Sequence, residues 1–151
     1  KKLVYNLREG GGTFKGLAGE CMFKLTKKNL FLMRFHPKNR FISTYQDLLS
    51  VAQREFLEKH WYSLDAIEIV EGKAFLYEIK TKNNNPYVHY KPKASQSEFS
   101  LYMNSIKLGF CVKLILIELL DNWNYVVIEK EFSRSTVYVD KIKSYDYVFK
   151  R

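Results

Sequence analysis

Asp65, Glu78 and Lys80 put two carboxylates and an ammonium on either side of a short turn, and a group of this kind can hold a cation against a phosphate. Ala66 to Val70 and Ala74 to Ile79 are short β-forming runs separated by Glu71-Gly72-Lys73, the pattern of a hairpin. A two-residue loop at Glu71-Gly72 pairs Val70 with Lys73, and counting outward sets Asp65 opposite Glu78. The strand period of two brings Lys80 to the same face. There the charged group ends an otherwise apolar pair of strands carrying Ile67, Ile69, Ala74 and Leu76. Opposed carboxylates about 5 Å apart repel each other unless a cation lies between them. Mg2+ or Mn2+ would remove the conflict, because such ions take oxygen ligands and keep waters that a phosphate can replace. The alternative is plainer: Asp65 begins a strand, and Glu78 and Lys80 form an exposed ion pair.

These residues need elements to position them. From Phe14, apolar residues at Leu17, Ala18, Cys21, Met22 and Leu25 follow one helical face, with Thr13 as N-cap. Phe31 to Phe35 reads as a strand and His36 to Arg40 as a turn. Thr44 opens a second helix, running to Lys59, with Leu48, Leu49, Ala52 and Phe56 inward. Thr81 to Lys93, with three Asn, two Pro and three Lys, reads as a long loop. A third helix is expected from Ala94 to Leu108, with Phe99, Tyr102, Met103 and Ile106 inward and Gly109 as its stop. Cys111 to Leu119 is a continuous apolar strand buried on both faces, and Tyr125 to Phe132 is another. The expected fold class is α/β, a mixed sheet flanked by helices.

At 151 residues, with 46% hydrophobic and 16% aromatic content, the chain suits one domain over 1–151, with 1–12 as an arm set off by Gly10-Gly11-Gly12. Lys and Arg number 25 against 16 Asp and Glu, a formal charge of +9, which favours an anionic partner: nucleic acid first, a membrane surface second. No apolar run approaches the roughly 18 residues needed to cross a bilayer, and no helix reads as basic and amphipathic, so no membrane partner is expected. Cys21 and Cys111 are not closely spaced; they read as core positions and suit a reducing, intracellular setting. His36, His60 and His89 occur singly, without the spacing of a metal site.

The order of these pieces resembles the PD-(D/E)xK nuclease superfamily, with its restriction-endonuclease-like fold. The matching residues are Leu64-Asp65, a strand, a Gly turn, and Glu78-Ile79-Lys80. Within that superfamily the chain is similar to archaeal Holliday-junction resolvases. The likeness extends to Gly16-Leu-Ala-Gly-Glu20, Gln96, and Leu108-Gly109-Phe110 leading into Val112 to Glu118, and so covers roughly Phe14 to Phe132. It departs at Leu64, where the signature has Pro, and in the extra helix from Thr44 to Lys59.

The resemblance implies a Mg2+- or Mn2+-dependent endonuclease that hydrolyses DNA phosphodiester bonds, resolvase-like and acting on branched or junction DNA as a homodimer. Asp65, Glu78 and the backbone carbonyl of Ile79 would hold the ion, and Glu20 would complete the site through water or a second ion. Lys80 would orient the attacking water or stabilise phosphate charge. Crowding would lower its pKa while its carboxylate neighbours would raise it. Gln96, read on the inward stripe with Phe99 and Met103, would orient water. Glu20 as a solvated helix residue and Gln96 as a helix cap are the alternatives. Lys15, Lys82, Tyr87, His89, Tyr90, Lys91 and Lys93 combine charge and rings suited to nucleic acid. A flap, nicked duplex or single strand as the DNA substrate, RNA in place of DNA, or a non-catalytic nucleic-acid-binding module on the same fold, stays open. Val137 to Arg151 could form an edge strand, a dimer contact or a basic surface.

Overall fold

The hairpin is the frame on which the rest is hung. In the computed structural model, which describes residues 12–84, 92–122 and 124–140, strand β2 (Ala66–Val70) returns as β3 (Lys73–Asn83) through Glu71-Gly72. Val70 pairs with Lys73 and Ala66 with Tyr77, the register expected from the turn. Glu71 (φ 50°) and Gly72 (φ 78°) both take positive φ, as a tight turn matched to strand twist demands. The two-residue strand β1 (Phe31–Leu32) pairs with the outer edge of β2, and β5 (Cys111–Leu119) runs parallel to β3 along its whole length. Antiparallel β6 (Tyr125–Glu131) closes a five-stranded mixed sheet of order β1-β2-β3-β5-β6. A separate parallel pair joins β4 (Lys93–Ser95) to β7 (Tyr138–Asp140).

Helices cover both faces of the sheet, so the protein is a mixed α/β structure. Helix α1 (Gly12–Thr26) lies over one face, where Phe23 packs with Tyr77, Ile79, Ile115 and Ile117. Helices α2 (Lys38–Tyr45), α3 (Val51–His60) and α4 (Gln96–Lys107) cover the other with Phe41, Leu57, Phe99 and Tyr102 against Ile67, Leu76, Leu114 and Leu116. Alternation along β5 sends even-numbered residues to the second face and odd-numbered ones to the first, which explains its nearly continuous apolar run, broken only at Lys113 and Glu118.

Several boundaries differ from expectation. The buried strip of α1 is Gly19, Glu20 and Phe23, while Phe14, Cys21 and Leu25 are exposed and Thr13 lies inside the helix. The smallest side chain decides this, because a helix approaches a sheet most closely along its Gly. A Cβ on Gly19 would stand 1.8 Å from Thr81 Oγ1. Cys111 is half-buried rather than core. Only Phe31 and Leu32 of the expected first strand pair, and Met33–Phe35 turn as a 3-10 helix. The expected turn at 36–40 is the start of α2, and the expected helix from Thr44 divides before Ser50. Ser50 Oγ accepts from Gln53 N (3.1 Å) while Ser50 N donates to Gln53 Oε1 (2.9 Å), a reciprocal cap that starts α3 anew. Strand β3 runs on to Asn83, into the expected loop, because β5 pairs it through Asn83↔Leu119. Ser95 caps α4, accepting from Glu98 N at 3.1 Å, so that helix begins at Gln96, and Ile106 is exposed on it. Gly109, at φ 100°, ends it as expected.

Candidate active site

Where the hairpin leaves the turn far behind, its open end gathers charge. Glu78 points to the α4 face with only 3% of its surface exposed, although a carboxylate in that position loses most of its hydration. Tyr102 of α4 donates its hydroxyl to Glu78 Oε1 at 3.1 Å. Among the described residues, no donor reaches the buried Glu78 Oε2 with hydrogen-bond geometry, and its charge partner is the Lys80 ammonium at 3.3 Å. Lys80, two residues along the same face, also donates to Glu98 Oε1 of α4 at 3.2 Å. Asp65, just before β2, uses Oδ2 to accept the backbone N–H of Ile79 at 2.8 Å, which locks the carboxylate across the strand from Glu78.

Glu20 approaches the same point from α1. It is 5% exposed, and Arg34 grips it through two hydrogen bonds, Nε to Oε1 at 2.9 Å and Nη2 to Oε2 at 2.7 Å. The close approach of Gly19 to Thr81 is what lets the following residue reach the sheet end. A cavity of about 280 Å³ opens beside the cluster, lined by Glu20, Arg34, Tyr62, Leu64 and Asp65.

Electrostatics follow from burial. The Glu78 carboxyl is pushed well above the usual carboxylate range, first by burial and then by the negative charge of Asp65 beside it. Burial raises Glu20 as well, helped by Asp65 and opposed by the hydrogen bonds from Arg34. For Lys80, burial pulls the pKa down, but Glu78 and Glu98 together outweigh it and the net displacement is upward. Between the two opposed effects expected for this lysine, its carboxylate neighbours win. Lys80 is therefore held in its charged form between the two carboxylates. Tyr102 is fully buried beside Glu78 and keeps its proton, its pKa well above normal.

Asp65 and Glu78 are the carboxylates here that could hold a divalent ion. Among the described residues no three Asp, Glu, His or Cys side chains converge as a ready-made cage. Mg2+ does not need one, since it is commonly held by one or two carboxylates with water and substrate phosphate filling the remaining positions. The undonated Glu78 Oε2 and the adjacent Asp65 carboxylate supply oxygens of the right type, with charge that the local positive groups only partly offset.

Of the residues expected at the site, Glu20, Asp65, Glu78 and Lys80 come together, and Ile79 joins them through its backbone. Gln96 does not lie on the inward stripe: it is exposed at the first turn of α4, its Nε2 donating to Ser100 Oγ at 3.2 Å. The cap at Ser95 sets the phase of the helix, which turns Glu98 and Tyr102 toward the cluster in its place. Glu98, Tyr102 and Arg34 were not legible as site residues. Tyr102 stood in the apolar stripe, and nothing local in the sequence joins Arg34 to Glu20, fourteen residues away. Lys82 is half-buried with its ammonium 3.6 Å from Glu118, Lys15 is half-buried on α1, and Lys93 is exposed on β4. Tyr87, His89, Tyr90 and Lys91 lie outside the described residues, as do 1–11 and 141–151.

Fold and site together define a mixed α/β protein with an acidic cluster buried at the open end of a hairpin. No family model matches the chain, and no curated protein matches it in sequence. No helix among the described residues is long and apolar enough to cross a membrane.

Proposed function

We propose that this protein is a Mg2+- or Mn2+-dependent nuclease of the PD-(D/E)xK type that hydrolyses phosphodiester bonds in DNA. The observation that carries the reading is the buried Glu78 carboxylate with an undonated oxygen, set against Asp65 and followed on the same face by Lys80. A merely exposed ion pair would not bury one of its members to 3%. A binder of an anionic backbone, in turn, gains nothing from paired carboxylates.

In this reading Asp65, Glu78 and the Ile79 carbonyl hold the ion, which activates water and offsets phosphate charge when bound. Lys80 keeps its proton and stabilises charge on the attacked phosphate, while Glu98 and Tyr102 fix the positions of Lys80 and Glu78. Glu20 and Arg34 border the adjoining cavity, where the guanidinium offers a positive contact for the substrate. Branched DNA is the substrate the resemblance to resolvases suggests, and a homodimer would place two such sites on two strands.

The test is cleavage of labelled four-way junction, flap, duplex and single-stranded DNA with Mg2+, Mn2+ or EDTA, comparing wild type with Glu78→Ala. Metal-dependent cutting that disappears in the variant while binding persists is the expected result. Wild type that binds but cuts none of these substrates in either metal would replace the reading with a non-catalytic nucleic-acid-binding module.

A further inference from the structure

The segment that carries Arg34 borders a second cleft two residues further on. Two cavities, of about 400 and 110 Å³, share Phe31, His36 and Tyr45 as a common wall. Lys24 and Lys28 flank the larger and Arg40 the smaller, and among the described residues no acidic one lines either. The rings meet edge to face, with Phe31 centred 5.0 Å from His36 and 6.0 Å from Tyr45, and all three are half-buried rather than sealed in the core. Phe41 backs the wall, its ring 5.1 Å from Phe31 and 4.7 Å from Tyr45, so a further ring can reach these three only from the solvent side.

His36 Nδ1 lies 3.0 Å from the Leu32 carbonyl, which can only accept, so Nδ1 carries a hydrogen and donates it there. Among the described residues, neither His36 Nε2 nor the Tyr45 hydroxyl has a hydrogen-bond partner. Lys24 is tied down by donating to the carbonyls of Lys28 (2.9 Å) and Leu30 (2.6 Å), a positive charge held in place. Lys28 and Arg40 are exposed. Trp61 Nε1 donates to the carbonyls of both Met33 (3.0 Å) and His36 (2.9 Å), so the segment joining the two sites is braced.

We propose that this cleft binds an unpaired nucleotide of a single-stranded nucleic acid, its base among Phe31, His36 and Tyr45 and its flanking phosphates on Lys28 and Arg40. Aromatic faces with a wholly cationic rim match a base carrying phosphates. They match neither an acid-free apolar segment, which would leave the charges unused, nor a basic one, which they would repel. The inference rests on nucleic acid as the partner in the reading above and not on cleavage.

The experiment is fluorescence anisotropy of the full chain in EDTA with a short labelled single-stranded DNA, its RNA counterpart, and a blunt duplex of the same sequence. Lys28→Glu/Arg40→Glu is expected to weaken single-strand binding at least about ten-fold and to lower the log Kd against log salt slope by about 1.4, as two lost phosphate contacts require. His36→Ala is expected to weaken it about five-fold or more, with circular dichroism unchanged. The DNA and RNA arms separate the two sources of the shared chemistry. Unchanged affinity in the double reversal, or an equal loss on the blunt duplex, overturns the inference. Absent cleavage with the reversal effect intact removes the catalytic reading alone, whereas intact cleavage with no reversal effect removes this one alone.

Discussion

Replacing Glu78 by Gln keeps the shape of a side chain that is 3% exposed and removes its charge, so the variant isolates what the buried carboxylate costs. The folded-state pKa of Glu78 is raised, first by burial and then by Asp65, above its unfolded value of about 4.3. A carboxyl displaced upward binds its proton more tightly when folded. Its contribution to stability is complete below the unfolded value and is lost as pH rises through the folded one. Gln mimics the protonated form and accepts the Tyr102 hydroxyl in the same way. The difference in Tm between variant and wild type, both metal-free, should therefore be small near pH 4 and grow in favour of the variant as pH rises. Each unit of upward displacement is worth about 1.4 kcal/mol, which in a domain of this size is roughly 3–5 °C of Tm. Mg2+ at a hundred times its Kd should return about 2.7 kcal/mol to the wild type at pH 7.5, and little to the variant. Differential scanning fluorimetry from pH 4 to 8, with and without Mg2+, measures both. A difference that stays flat with pH, or a variant less stable than wild type at pH 8, would refute the buried-charge argument.

Gly19→Ala would put a Cβ 1.8 Å from Thr81 Oγ1 and 2.9 Å from Thr81 Cβ, a clash no rotamer relieves, so α1 must lift from β3. The expected loss is about 1–3 kcal/mol in urea unfolding, with Glu20 drawn away from the cluster. Lys80 acts as a charge, so Lys80→Arg should retain more DNA cleavage than Lys80→Met, whose rate should fall about 100-fold or more; equal rates for the two would contradict that role. Arg34→Ala leaves Glu20 buried without its two donors and raises its carboxyl further. The loss of Tm should then be larger at pH 8 than at pH 5, because a carboxyl displaced further upward gives up more stability as pH rises and its buried charge forms without a partner.

The hairpin could be read before the fold was known because its information is local. Glu71-Gly72 allows one tight turn, that turn sets the register, and the register alone places Asp65 opposite Glu78 with Lys80 on the same face. The buried strand at Cys111–Leu119 and the stop at Gly109 were legible for the same reason, as were the α/β class and the stripe of Phe99 and Tyr102. A local signal was also overlooked: Ser50 and Gln53, three residues apart, marked the start of α3.

What only the tertiary structure decided is which side chains meet across elements. The periodicity of α1 names several apolar residues that could face inward, but the sheet selects the strip of Gly19, because helix and strand approach most closely where a side chain is missing. That choice buries Glu20 and exposes Cys21. Likewise, the cap at Ser95 turns Gln96 to solvent and Glu98 to Lys80, and the pairing of β1 with β2 carries Arg34 to Glu20. Spacing along a chain sets the faces of single strands and helices. The partner of a buried charge is fixed by packing between elements, where the cost of leaving that charge unpaired depends on distances the sequence does not hold.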